Sequence, residues 1–448
     1  MAEPADYRRV ADGVAEEITA GRLRPGDRLP PQRVFARQYG IASSTAGRVY
    51  RELNRRGLTV GEVGRGTFVL ATVESDGPAL AEPTDSRVDL ELSYPVVPEQ
   101  AELLAGGIGR LLRPDIVASA MRPVGALGTA AARAASVEML ARGGWRPDPD
   151  GVLFAGNGRQ AIAAAVAALV PAGGRLGAEE FTYPVLKAIA GRLGVTVVPL
   201  PVDNDGLLPG AVARAHATAP LKAVYLQPTL HNPLSSSMSG TRRGELAEVL
   251  TRCGIPAIED SICAFLRDDL PPLAALLPDR TVLVDSLSKR LAPGLTVGFA
   301  VVPPGLRAEV SAALRSGGWT PPRFALEAAT RWLADGALHA VVRAKQRDAE
   351  TRQDIARQYL PDFPVHSDRR SYYCWWELPP PWRADTFVAA AAQRGIAVTP
   401  AAAFAVGQCR APNAIRIGLA SPPVAVLRRA LATLTELARA TPELLAAD

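Results

Sequence analysis

The 448 residues are 48% apolar and 21% charged, the composition of a globular chain long enough for more than one domain. No apolar run approaches the roughly 20 residues that span a bilayer and no basic-then-apolar leader opens the chain, so the expectation is cytoplasmic, with no membrane partner. Cys253, Cys263, Cys374 and Cys409 show neither a disulfide framework nor metal-ligand spacing, which reads as reduced thiols and no metal site. The net charge of +5 is unevenly placed. Residues 1–72 hold 12 Arg, no Lys and 8 Asp or Glu, so they carry 12 − 8 = +4, and the remainder is nearly neutral. A small basic unit joined to a large neutral one calls for an acidic partner on the small unit.

Tyr7, Val10, Val14 and Ile18 recur at spacings of three and four, which predicts an amphipathic helix over Tyr7–Ala20, stopped by Gly21. Arg24–Asp27 reads as a turn, and Pro31–Tyr39 as a second short helix broken at Gly40. Ser43 or Ser44 is placed to cap a third helix, with Val49, Tyr50 and Leu53 on its inner side. Leu58–Val69 alternates around Gly61, Gly64 and Gly66, as a small hairpin does. Three helices and a hairpin of these lengths make a winged helix-turn-helix.

The runs Gly26-x-x-Leu-Pro-x-x-Arg33, Tyr50-x-x-Leu53-x-x-x-Gly57 and Gly64-Arg-Gly-Thr-Phe-Val69 resemble the N-terminal domain of the GntR family. The resemblance implies a third helix in the major groove of double-stranded DNA and a hairpin tip at the minor groove. Arg33, Arg48 and Arg65 are then contacts to phosphate or base edges, with Ser43, Ser44 and Thr45 at the start of the recognition helix. Ser43 stands where such domains usually carry an Arg, a departure that touches base specificity more than backbone affinity.

Residues 71–87 lack periodicity and hold Pro78 and Pro83, so they read as a short linker. From Val88 onward helical and apolar β-type segments alternate, the pattern of an α/β domain with a mainly parallel sheet. Helices are expected at Arg159–Leu169, Tyr183–Leu193 and Thr241–Arg252. Strands are expected at Val195–Leu200, Ala223–Leu226, Ala257–Ile258 and Thr281–Val284.

Six segments of this second unit carry candidate chemistry. Ala155-Gly-Asn-Gly158-Arg-Gln160 is a Gly-rich turn opening a helix, where free N–H groups and the helix dipole suit a phosphate. Tyr183 precedes a Pro. Tyr225-x-Gln-Pro-Thr-x-His-Asn232-Pro and Ile258-Glu-Asp260 each follow an apolar run. Ser286-Leu-Ser288-Lys289 ends another and turns through Pro293-Gly294, and Ile415-Arg416-Ile lies near the C-terminus. The chain keeps only four lysines (187, 222, 289 and 345) among 50 basic residues, and an amine forms a Schiff base where a guanidinium does not. Taken singly, these residues also fit a strand-capping lysine, a core tyrosine, a helix-capping aspartate and a surface arginine.

In this order they resemble the class I/II aminotransferases of fold type I, and most of all the MocR-type regulators that fuse a GntR domain to such a unit. The resemblance implies pyridoxal phosphate held as an aldimine on Lys289, with Ser286 and Ser288 beside it. It implies Gly158, Arg159 and Gln160 at the phosphate, Tyr183 stacked on the ring, Asn232 at the phenolic oxygen, Asp260 at the pyridine nitrogen and Arg416 at an effector carboxylate. Two positions depart. Ile262 and Cys263 stand where a Tyr is usual, and Thr296 where an Arg usually grips the phosphate.

These readings predict a winged helix-turn-helix (1–70), a linker (71–87) and an aminotransferase-like domain (88–448) with a small C-terminal α+β subdomain. The expected protein is a homodimeric transcription regulator that senses a small amino acid or amine. The alternatives are a working pyridoxal-phosphate aminotransferase that retains a DNA-binding domain, and a regulator whose second domain binds no cofactor.

Overall fold

The computed structural model describes residues 7–19, 22–23, 27–55, 58–62, 66–69, 88–407, 409 and 411–440. The expected turn at Arg24, the linker 71–87 and the wing tip with Arg65 lie outside them.

Helices α1 (Tyr7–Thr19), α2 (Gln32–Gln38) and α3 (Ser43–Arg55) follow the apolar periodicity of the sequence. Ala11, Val14, Ile18, Phe35, Val49, Tyr50 and Leu53 are buried together. At roughly 1.5–3 kcal/mol per fully buried large apolar side chain, this cluster is what holds so small a unit together. Tyr50 crosses Phe35 edge-on at 5.0 Å and donates its hydroxyl to the Pro30 carbonyl. Ser43 and Ser44 do not lie outside α3 as caps. The helix already includes them, and the Ala46 N–H bonds to the Ala42 carbonyl. Strands β2 (Thr59–Glu62) and β3 (Gly66–Val69) form the hairpin, and β1 (Arg28–Leu29) adds a third strand antiparallel to β3. Two residues are too short for alternation to show, so β1 had no signal in the sequence.

Residues 88–440 build two sheets. The larger has seven strands, in the order Val152–Ala155, Gly298–Val301, Thr281–Ser286, Ala257–Asp260, Ala223–Leu226, Arg175–Glu179 and Thr196–Leu200. Gly298–Val301 runs antiparallel to both neighbours, and the remaining recorded pairings are parallel. Four of the strands are buried at every position, which explains why they appear in the sequence as unbroken apolar runs without alternation. Two run further than expected, to Asp260 and Ser286, because polar residues at their ends still pair in the ladder.

The smaller sheet is antiparallel, in the order Val365–His366, Tyr373–Glu377, Ala414–Gly418 and Thr399–Pro400. It packs through Trp376, Ile415 and Ile417 against Phe387 and Leu427 of two covering helices, Ala384–Gln393 and Val424–Arg439. The 23-residue helix Ala337–Tyr359 contributes Ile355 and Ala356 to this core and Leu338 and Val341 to the core beside the larger sheet, so it ties the two together. Val88–Asp89 pairs in parallel with Ile396–Ala397, which brings the first described residues of this unit onto the smaller sheet's side.

Candidate functional site

The carboxyl ends of the parallel strands open on one crevice, the usual ligand position in an open α/β sheet. There the loops after successive strands deliver their side chains to a single cavity of about 290 Å³. Its lining includes Gly158, Arg159, Tyr183, Asn232, Asp260, Ser288, Lys289 and Arg416, eight of the expected site residues drawn from segments far apart in sequence. Two more do not reach it. Gln160 spends its backbone N–H on the Asn157 side chain, and its own side chain packs against Gly156. Ser286 lies fully buried just behind Ser288.

At one end of the cavity the helix Gly158–Leu169 points its first turn inward, with Asn157 as its cap. The cup depends on a close backbone approach: a Cβ on Gly298 would stand 2.3 Å from the Asn157 carbonyl oxygen. Beside it three hydroxyls form a triangle, Ser286 to Ser288 at 2.9 Å, Ser286 to Thr296 at 2.9 Å and Ser288 to Thr296 at 2.8 Å. Thr296 therefore completes a hydroxyl cluster where the family pattern has a guanidinium. The Arg159 Nε–H donates to the Tyr183 hydroxyl at 3.2 Å, which places a cation at the same end.

Along the floor, Asp260 accepts from the Tyr225 hydroxyl at 2.6 Å, from Gln227 Nε2 at 2.9 Å and from the Ile262 N–H at 3.1 Å. Burial still outweighs these bonds and pushes its carboxyl up to about 6. Lys289 sits on the short turn Leu287–Arg290, just past the strand end where the sequence placed it. Burial depresses its amine to about 8, although the nearby Cys263 thiol opposes the shift. Its Nζ donates to the Ser93 carbonyl and lies 4.4 Å above the Tyr94 ring. Ile262 and Cys263 make this wall apolar, and burial pushes the thiol up to about 12.

At the other end Arg416 is buried between the rings of Tyr373 and Phe404, at 5.0 and 4.9 Å from their centroids. Its Nη1 donates to Asn232 Oδ1 at 2.9 Å, and its Nη2 to Thr399 Oγ1 at 3.2 Å and to the Glu91 carbonyl. Its buried Nε has no hydrogen-bond partner among the described residues. An unpaired buried N–H is costly, so the site favours an acceptor at that position.

Sequence reasoning missed five contributors. Tyr225 and Gln227 lie in the Asn232 segment, but nothing in its pattern shows that they bond Asp260. Tyr373 and the stretch Glu91–Tyr94 come from the smaller sheet and from the chain before the first strand of the larger one, and no local pattern marks them. Lys345, fully buried, donates its amine to the carbonyls of Lys289, at 2.9 Å, and of Leu291. Its scarcity among the basic residues was the only available signal.

In the small N-terminal unit Ser43, Ser44, Arg33 and Arg48 are exposed, and Thr45 is half-buried. The Arg48 guanidinium lies 4.1 Å from the centroid of the Tyr7 ring. Arg37 and Arg51, not singled out by the motif, are exposed as well and extend the basic surface. Among the described residues no cluster of His, Cys, Asp or Glu is arranged to hold a metal, and no helix is long and apolar enough to cross a membrane.

Comparison with known proteins matches two segments of the chain. Residues 6–69 match the bacterial regulatory proteins of the gntR family, and residues 126–434 match aminotransferase class I and II. Among curated relatives, the uncharacterized HTH-type transcriptional regulator YdeF of Bacillus subtilis is 29% identical over 97% of this chain and 96% of its own length. The pyridoxine biosynthesis transcriptional regulator PdxR of Corynebacterium glutamicum is 26% identical over 80% of this chain and 79% of its own. The probable rhizopine catabolism regulatory protein MocR of Rhizobium meliloti is 25% identical over 80% and 78%. Among solved structures, an archaeal alanine:glyoxylate aminotransferase superposes with a TM-score of 0.72 at 18% identity, covering 97% of this chain and 99% of that one. That likeness establishes the fold. The chain belongs to the aminotransferase class I and II family and, through the gntR-type helix-turn-helix it carries in front, is an HTH-type transcriptional regulator homologous to the MocR-type proteins.

Proposed function

We propose that this regulator senses a small amino acid or amine through pyridoxal phosphate held at Lys289. The observation that carries the reading is the convergence of Lys289, Asp260, Asn232 and Arg416 on one cavity that has a helix N-terminus at its far end. The residues fit the cofactor. Arg159, the hydroxyl triangle and the first turn of Gly158–Leu169 offer donors to a phosphate, Asp260 offers a carboxylate to a ring nitrogen, and Tyr183 offers a ring wall. Asn232 Oδ1 accepts from Arg416 Nη1, which leaves the amide N–H₂ of Asn232 to donate to a phenolic oxygen. When bound, pyridoxal phosphate supplies an aldehyde that condenses reversibly with primary amines, so a pocket that holds it selects amino compounds.

The depressed pKa of Lys289 keeps a substantial fraction of its amine neutral near physiological pH, as a nucleophile requires. Arg416, with its unpaired Nε, is suited to a ligand carboxylate. Exposed Leu112, Met121 and Phe324 lie on or directly beside neighbouring elements of the larger unit and support assembly as a homodimer that pairs two winged helices on double-stranded DNA. Ile262, Cys263 and Thr296 favour sensing over turnover, because no hydroxyl at the first two sites holds the phenolic oxygen and no guanidinium at the third holds the phosphate.

The test is the visible absorption spectrum of the protein with added pyridoxal phosphate beside Lys289→Ala. A band in the wild type alone supports the reading. Identical spectra would refute it and leave a regulator with some other ligand, while substantial ketoacid formation from amino acids would make the protein an aminotransferase.

A further inference from the structure

The two cations expected to meet a ligand are already engaged, and by the same short stretch of chain. Lys289 Nζ donates to the Ser93 carbonyl and stacks on Tyr94, and Arg416 Nη2 donates to the Glu91 carbonyl. Glu91, Leu92, Ser93 and Tyr94 all line the cavity. The stretch is pinned on both sides. Upstream, Val88–Asp89 pairs with Ile396–Ala397, Leu90 is fully buried, and its carbonyl accepts from the Gly418 N–H at 2.7 Å. Downstream, Gln100 Nε2 donates to the Leu291 carbonyl, next to the Lys289 turn. In the middle the Asp89 carboxylate accepts the Glu91 and Leu92 N–H groups at 2.8 Å each, and a hydroxyl adds a clip. Ser421 Oγ donates to the Leu92 carbonyl at 2.8 Å and accepts the Tyr94 N–H at 3.3 Å. In sequence, Val88 follows directly on residues 70–87, which join this unit to the wing strand β3.

We propose that Glu91–Tyr94 is an internal competitor for the ligand site: a strap whose carbonyls occupy Lys289 and Arg416 until an aldehyde and a carboxylate displace them. The proposal rests on the ligand reading above. A backbone carbonyl is a neutral acceptor. It satisfies a buried ammonium or guanidinium well enough to keep the ligand-free pocket stable, yet a charged carboxylate outbids it at Arg416 because charge-assisted hydrogen bonds are roughly twice as strong. A strap-closed state that cannot bind lowers apparent affinity by the fraction of molecules that are open, so loosening the strap at a point outside the cavity tightens binding. A strap that merely walled the pocket would give the opposite sign.

Two measurements on the full-length protein decide it, with pyridoxal phosphate as the probe. In hydrogen exchange followed by mass spectrometry, the amides of residues 91–94 exchange several-fold faster once the cofactor's visible band has formed. Unchanged or slower exchange beneath a full band overturns the strap. In a spectroscopic titration, Ser421→Ala, which removes both clip bonds and does not line the cavity, reaches half-saturation at several-fold lower pyridoxal phosphate than the wild type. An equal or higher midpoint overturns it. If the wild type shows no band, the cofactor reading fails separately. The strap is then judged on ligand-free Lys289→Ala, where faster exchange of residues 91–94 supports the Lys289 hook and wild-type exchange rules it out.

Discussion

Two buried amines and one guanidinium set the chemistry at the residue scale. With its amine depressed to about 8, Lys289 is expected to give an apparent pyridoxal phosphate affinity that climbs as the pH rises to about 8 and levels above it. An affinity still climbing toward the ordinary lysine value would show that burial does not tune this amine. Lys345 is depressed further, to about 7, by burial and by the charge of Lys289. Between that value and the unfolded pKa of 10.5 the unfolded chain binds more protons at this site than the folded one, so stability at Lys345 increases with pH across that window. Lys345→Met removes the contribution. Denaturant unfolding of the variant from pH 7 to 10 is therefore expected to rise less steeply with pH than that of the wild type, and parallel curves would contradict it. Arg159 supplies the cation at the phosphate end, so Arg159→Ala is expected to weaken pyridoxal phosphate by roughly ten- to a hundredfold, the loss of one charge-assisted hydrogen bond at about 1.5–3 kcal/mol. A titration midpoint unchanged from wild type would assign the phosphate to the hydroxyl triangle alone.

The cup at the start of Gly158–Leu169 is an element-scale construction, since its position is set by the antiparallel strand Gly298–Val301 pressed against Asn157. Gly298 is there because nothing larger fits. Its Gly298→Ala variant must push the Asn157 carbonyl or its own strand away, a cost on the order of 1–3 kcal/mol for overpacking a tight site. The expected outcome is a thermal midpoint lower by a few degrees together with weaker pyridoxal phosphate binding, because the same displacement tilts the cup. A variant as stable as wild type would mean that the strand relaxes freely. The strands themselves were legible as apolar runs, whereas their order was not. A run such as Val282–Val284 is equally apolar on both faces, so it carries no information about which neighbour it pairs with.

For the whole molecule, the proposed function joins a basic winged helix to a ligand-holding dimer. Arg48 is exposed on the third helix, so Arg48→Ala is expected to lower DNA affinity and to reduce the slope of log K against log salt by about one, if it contacts a phosphate. Affinity lost at one base pair of a site, with an unchanged slope, would make it a base reader instead. On the larger unit Met121 is 80% exposed and Leu112 67%, a wasteful display of apolar surface for a lone protomer. Sedimentation of Met121→Asp is expected to show monomers where the wild type shows dimers, and an undisturbed dimer would place the interface elsewhere.

The sequence by itself determined the two kinds of unit, because their signals are local: helical periodicity in α1–α3, buried apolar runs in the larger sheet, and short ordered motifs around Gly158, Asn232, Asp260, Lys289 and Arg416. It also exposed the departures at Ile262, Cys263 and Thr296, which are single-residue facts. Only the tertiary structure decided what those residues meet. The Thr296 hydroxyl closing a triangle with Ser286 and Ser288, Tyr373 and Phe404 sandwiching Arg416, and the Glu91–Tyr94 carbonyls reaching Lys289 and Arg416 all join positions up to hundreds of residues apart. Such contacts are fixed by how separate segments pack together, and a carbonyl, which every residue carries, leaves no mark in the sequence.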